Sequence, residues 1–320
     1  MSMSTMISIS TSRPLAVTAS HVRYIKLGPG GSWERECETR AYLRFGFNSA
    51  TEERYPLCMQ GRWEELRATF LAEGCSPGTA THFTNETRWF FEDDGSTLWI
   101  TFVGERLLWG RLESGAPAPH TDGDSVTRSV AGGWRDTDLG GERLRKDNLS
   151  GTLTKLVGFR GTSCSVDVGD YVLRRINGLK IPEVERGIVA LREMTDATLA
   201  MVRLLGPKDF EILVDLVFST SGWRRQGAIG KTQKTLDLDL VLPSTGERAF
   251  VQVKSRTDHA ELADYVSRID AADDYTRMFY VYHTGRASTD DPRVVVIGPE
   301  RIAEMVVEAG LVGWVVRKVS

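Results

Sequence analysis

A chain of 320 residues with 41% hydrophobic side chains exceeds the usual single domain and carries enough apolar material for two cores. Its net charge of -3 and pI near 6.0 exclude a basic field over the whole molecule of the kind that binds polyanions indiscriminately, so any nucleic-acid surface has to be local. The four cysteines, Cys37, Cys58, Cys75 and Cys164, form no CxxC pair and have no histidine at ligand spacing, which argues against a zinc cluster and for buried thiols in a reducing cytoplasm.

Residues 1–20, rich in Ser, Thr and Met, read as a disordered tail rather than a signal peptide, because no basic start precedes an apolar stretch. No apolar run approaches the roughly 18 residues that cross a bilayer, and a soluble cytoplasmic protein is expected. After a Gly-Pro-Gly-Gly turn the pattern predicts a short helix over 32–40, a strand over 42–45 and a helix over 62–72. Apolar and aromatic β-formers on both sides of Gly104-Glu105 predict a hairpin over 97–111. Segments 114–125 and 136–150 are loops by composition, and 169–176 reads as a strand. Trp33, Trp63, Trp89, Trp99, Trp109 and Trp134 crowd the first half and only Trp223 and Trp314 fall in the second, which implies two cores of different character.

The domain boundary is placed between 176 and 183, where Asn-Gly-Leu-Lys-Ile-Pro interrupts the pattern. A domain over 21–180 is then followed by a linker helix within 181–206 and a second domain over 207–320. There the order is a helix over 207–221, strands over 236–242 and 249–255, a helix over 258–270, strands over 277–283 and 294–297, and a helix over 299–309. Such alternation predicts an α/β (α+β) fold with a central mixed sheet.

Two of these strands carry chemistry. Side chains alternate across a strand, so Gln252 and Lys254 share one face while Val251 and Val253 bury the other, and Asp237 and Asp239 share a face opposite Leu236, Leu238 and Leu240. The turn over 243–247 folds one strand back on the other, bringing acid, amide and lysine into one volume. Phosphodiester hydrolysis needs that grouping. Oxygen ligands hold a hard cation, Mg²⁺ or Mn²⁺ rather than Zn²⁺, and a lysine orients or deprotonates the attacking water. Glu211, early in the preceding helix, is a further candidate carboxylate. The basic segment with Arg224, Arg225, Lys231 and Lys234 is a candidate for DNA phosphates. Gly227-Ala-Ile-Gly-Lys-Thr232 ends like a phosphate-binding loop but has Arg225 where that loop needs glycine, which argues against ATP.

Taken in order, Phe210-Glu-Ile-Leu-Val, Ser221-Gly-Trp, Leu238-Asp-Leu-Val and Val251-Gln-Val-Lys resemble the Mrr-like branch of the PD-(D/E)XK nucleases, found in modification-dependent (type IV-like) restriction enzymes. The resemblance covers roughly residues 205–290. It implies a restriction-endonuclease-like αβ sandwich, Asp239 as metal acid, Lys254 as catalytic lysine, Gln252 at the second acidic position and Glu211 as the helix glutamate. Asp237 remains open as an alternative ligand to Asp239. It implies hydrolysis of double-stranded DNA in defence against foreign DNA, with a homodimer for cutting both strands. A repair or junction-resolving nuclease, and a DNA-binding module that has lost catalysis, remain open.

For the first domain, the tryptophans together with Tyr42, Phe45, Phe90 and Phe91 are read either as core or as the wall of a pocket in which a flipped, modified base stacks. The predicted hairpin and the Gly169-Asp-Tyr-Val172 segment resemble PUA-like folds, a superfamily that includes modified-base readers.

Overall fold

The structure, a computed structural model, describes residues 15–226, 237–269 and 275–320. The chain divides into two compact units, Met1–Lys180 and Ile181–Ser320. It is a mixed α and β protein.

In the first unit the chain runs through β1 (His21–Ile25), α1 (Glu34–Thr39), β2 (Tyr42–Phe45), α2 (Arg54–Met59), α3 (Trp63–Ala72), α4 (Pro77–Phe91), β3 (Thr97–Val103) and β4 (Arg106–Gly110). It continues through β5 (Ala118–Pro119), β6 (Val126–Ser129), α5 (Gly151–Thr154), β7 (Ser163–Ser165) and α6 (Gly169–Ile176). One sheet has the order β4-β3-β1-β7, with β1 parallel to β3, and a second has the order β2-β6-β5. Alternation along β1 and β3 loads both faces of the larger sheet. Val22, Tyr24, Leu98, Ile100 and Phe102 enter one core cluster, while Ile25 and Trp99 enter another with Phe45 and Phe90.

Two expectations are corrected here, and one helix is new. Residues 169–176 form a helix, because Val172 and Ile176, four apart, both drop into the core, and Arg174 and Arg175 close the last turn where cations suit the helix dipole. α4 escapes a propensity reading, being rich in Thr, with a glycine and an asparagine besides. Ser76 caps it by accepting from the Thr79 N–H at 3.2 Å, Pro77 opens it, and Ala80, Thr84, Thr87 and Phe90 bury one stripe. Of the expected disordered tail, residues 1–14 lie outside the described residues, but Val17 is tied down. Its N–H donates to Asn177 Oδ1 at 2.7 Å, and Asn177 Nδ2 donates back to the Val17 carbonyl at 2.8 Å.

The second unit comprises α7 (Pro182–Val202), α8 (Pro207–Thr220), β8 (Arg224–Arg225), β9 (Leu238–Leu242), β10 (Glu247–Lys254), α9 (His259–Ile269), β11 (Arg277–Tyr282), β12 (Val294–Ile297), α10 (Pro299–Glu308) and α11 (Val312–Val319). The helix expected as a linker is part of this unit, packing on α10 and α11 and burying Thr198 and Val202. The five-stranded sheet has the order β12-β11-β10-β9-β8; β9 runs antiparallel to β8 and β10, whereas β10, β11 and β12 are parallel. One face, with Leu238, Leu240, Val251, Val253, Phe279 and Val281, packs on Phe210, Leu213, Val214, Val217 and Phe218 of α8 and on Ile302 and Val306 of α10. The other face packs Phe250, Met278, Tyr280 and Tyr282 on Leu262 of α9. Among the described residues no helix is long and apolar enough to cross a membrane.

Candidate active site

The β9–β10 turn is tight: the Gly246 N–H returns to the Leu242 carbonyl at 2.8 Å with Gly246 at φ 73, a left-handed value that glycine adopts without a Cβ clash. The turn fixes the register, setting Asp239 opposite Phe250 and Leu238 opposite Val251. One step further along, Asp237 reaches the level of Gln252. Its Oδ2 accepts from Gln252 Nε2 at 2.5 Å and from the Val253 backbone N–H at 2.6 Å. Burial pushes the Asp237 carboxyl above its ordinary value of 3.8, against the opposing pull of the Val253 N–H, Lys254 and the Gln252 amide.

Gln252 is only 5% exposed, and its Oε1 has no hydrogen-bond partner among the described residues. An unpaired buried amide oxygen is costly, so its position asks for an explanation. Lys254, two residues on and on the same face, places its Nζ 2.9 Å from Glu261 Oε1 and 5.0 Å from the centre of the Tyr265 ring, both on α9. Burial alone would lower the ammonium, but Glu261 and Tyr265 outweigh it and hold Lys254 well above the ordinary lysine range. Lys254 is therefore a fixed positive charge at neutral pH. It suits orienting water and offsetting anionic charge better than abstracting a proton.

The candidate residues assemble only in part. Asp237, Gln252 and Lys254 come together at one end of the sheet. Asp239 does not join them: it faces Arg248 Nη2 at 3.3 Å, and at roughly 3.3 Å rise per residue its position opposite Phe250 lies roughly 13 Å along the strand from Lys254. The register thus favours Asp237 over Asp239 as the acid beside Gln252. Glu211 sits on α8, whose apolar stripe covers the opposite face of the sheet, and it has no hydrogen bond or ion pair among the described residues. Among those residues no group of three His, Cys, Asp or Glu side chains is arranged to hold a metal ion. Arg224 and Arg225 are exposed on β8 at the sheet edge, with Arg225 Nη1 3.6 Å from Asp215 Oδ2. Lys231, Lys234 and the segment resembling a phosphate-binding loop lie outside the described residues.

Glu261 and Tyr265 are additions to the site. Their sequence signal is modest: an acid and an aromatic four apart, hence on one side of a helix that follows the lysine strand. No family model, no curated protein and no solved structure matches this chain. Its chemistry therefore has to be argued from the site itself.

Proposed function

We propose that the second unit is a divalent-metal-dependent DNA endonuclease, acting on modified DNA, with Asp237, Gln252 and Lys254 as its working residues. The observation that carries this reading is the unpartnered Gln252 Oε1 beside a desolvated carboxylate and a charged lysine, on one face of a sheet covered by helices on both sides. Asp237 and the side-chain oxygen of Gln252 are the groups that would hold such an ion, an oxygen donor set that suits Mg²⁺ or Mn²⁺. When bound, such an ion supplies Lewis-acid stabilisation of a phosphate oxygen. Lys254 adds positive charge next to it and a donor for the attacking water, and Glu261 and Tyr265 hold the ammonium in place. Arg224 and Arg225, exposed at the sheet edge, are suited to neighbouring phosphates.

A second reading, a DNA-binding module without catalysis, is favoured by one observation: among the described residues no third acid joins Asp237. Conversion of supercoiled plasmid to nicked circles separates the two. With Mg²⁺ or Mn²⁺ the protein is expected to nick modified plasmid and to stop on chelation, and Lys254→Ala is expected to slow nicking by about 10²-fold or more, the scale of a lost donor that stabilises developing charge. Binding without metal-dependent nicking, on modified and unmodified DNA alike, would establish the second reading.

A further inference from the structure

The first unit holds a cavity of ≈ 480 Å³ between the end of α4 and the starts of β1 and β3, walled among others by His21, Asn85, Arg88, Trp89, Glu92 and Asp94. That volume falls within the range of small-molecule sites. Most aromatics of this unit are structural: Phe45, Phe90, Trp99 and Trp109 are buried in its cores. Trp89 differs, being 36% exposed at the cavity wall.

Its ring is held from the protein side. The Arg23 guanidinium lies 4.8 Å from the Trp89 ring centre, while Arg23 itself is 1% exposed, paired with Glu86 and absent from the cavity wall. His21 meets the ring edge-on, with centroids 4.8 Å apart and planes at 70°. The indole is thus a pre-set platform between a buried cation and open space, and presetting lowers the entropy cost of stacking on it. Around it, several polar groups are already spent. Glu92 accepts from Trp63 Nε1 at 2.9 Å and from Arg88 Nε at 2.8 Å. Others have capacity left: the Asn85 amide has no hydrogen bond among the described residues, and Asp94, which accepts from the Ser96 N–H at 2.9 Å and from the Ser96 hydroxyl, keeps lone pairs for a further donor.

We propose that this cavity is a binding site for a planar, amino-bearing heterocycle of the nucleobase class, stacked on Trp89, with its exocyclic amine donated to Asp94 and a ring edge read by Asn85. Two features choose this ligand over others. Arg23 behind the ring already draws on its π electrons, so a second cation in front, such as a methylated ammonium, gains little. Arg88 in the wall is already paired with Glu92, and Asp94 repels phosphate but accepts amine protons, which selects a base over a backbone. Taking DNA as the source of that base rests on the nuclease reading; the cavity and its chemistry do not.

The test uses the full chain, titrated with deoxycytidine, deoxyadenosine, thymidine and tetramethylammonium and followed by ligand-observed NMR. Deoxycytidine or deoxyadenosine should bind in preference to thymidine. Trp89→Ala should weaken that binding about tenfold or more, in line with the loss of one base–aromatic stack. Asp94→Asn, at an exposed position, should erase the preference over thymidine and serves as an independent check should Trp89→Ala disturb folding. Absence of nucleoside binding, equal binding by both variants, or preference for tetramethylammonium would overturn the proposal. Nucleoside binding through Trp89 in a wild-type chain that never cuts DNA would sink the nuclease reading and leave this site standing, while a cutting enzyme with no nucleoside binding would do the reverse.

Discussion

One ion pair in each unit shows how a cation and a glutamate can serve different ends. Arg23 and Glu86 have side chains 2% and 9% exposed, and the pair is locked by Ser163, which donates to Glu86, by Ser165, which accepts from Arg23 at 3.2 Å, and by the Trp89 and Trp99 rings. Lys254 and Glu261 have side chains 25% and 36% exposed, and their neighbourhood contains an unpaired acceptor, Gln252 Oε1. A buried, multiply bonded pair fixes position and is costly to break. A half-open pair beside an unsatisfied oxygen is a charge kept within reach of something else.

The largest effect expected from this contrast is at Glu86. Glu86→Ala leaves the Arg23 cation buried without its partner, so unfolding in urea should show a loss of about 3–5 kcal/mol. A loss under 1 kcal/mol would mean that the buried pair is replaceable and that the contrast with Lys254 is empty.

In the second unit His283 is 5% exposed, its ring edge-on to Phe210 at 4.6 Å and its Nε2 unpartnered among the described residues. Burial holds its imidazole below the ordinary 6.5, with Arg203 adding to the effect and a backbone hydrogen bond opposing it. The unfolded chain then binds the proton more readily than the folded one. The stability His283 contributes is full above pH 6.5 and is lost as pH falls below that value through the folded-state pKa. Thermal melts from pH 8 to pH 5 should show this decline, and His283→Gln should flatten it. An unchanged slope in that variant would place the titration elsewhere.

How far these features were legible in the sequence differs between the units for physical reasons. In the second unit the strands are short apolar runs bounded by turn residues and the helices have well-placed openers such as Pro207 and Pro299, so β9, β10, β11, β12, α8 and α10 fall close to their expected bounds. Register was harder to read. Asp237-Leu-Asp239 presents two acids on one face, and only the turn at Gly246 decides that Asp237 rather than Asp239 meets Gln252. Spacing in a helix does not reveal which face of a sheet the helix covers, so the place of Glu211 relative to the other candidates is not legible in the sequence. In the first unit local signals conflict with tertiary burial, as α4 and α6 show, and the aromatic count concealed that only a ring such as Trp89, backed by a buried guanidinium, is left facing open space.

The smallest expected effect is the one that most sharply divides structure from chemistry. Lys254 is held by Glu261 and by the Tyr265 ring, and a fold-based view would make this pair a staple between β10 and α9. Both side chains reach solvent, however, and such pairs contribute about 0–1 kcal/mol because water already solvates the separated charges. Leu262 and Phe250, buried at 1% and 3% exposure beside the pair, attach α9 to the sheet whether or not the ion pair exists. Lys254→Ala and Glu261→Gln should therefore each shift the urea midpoint by an amount equivalent to no more than about 1 kcal/mol, while Lys254→Ala removes metal-dependent nicking. A loss of several kcal/mol in Lys254→Ala would make the lysine a structural anchor, and the loss of nicking in that variant would then say nothing about catalysis.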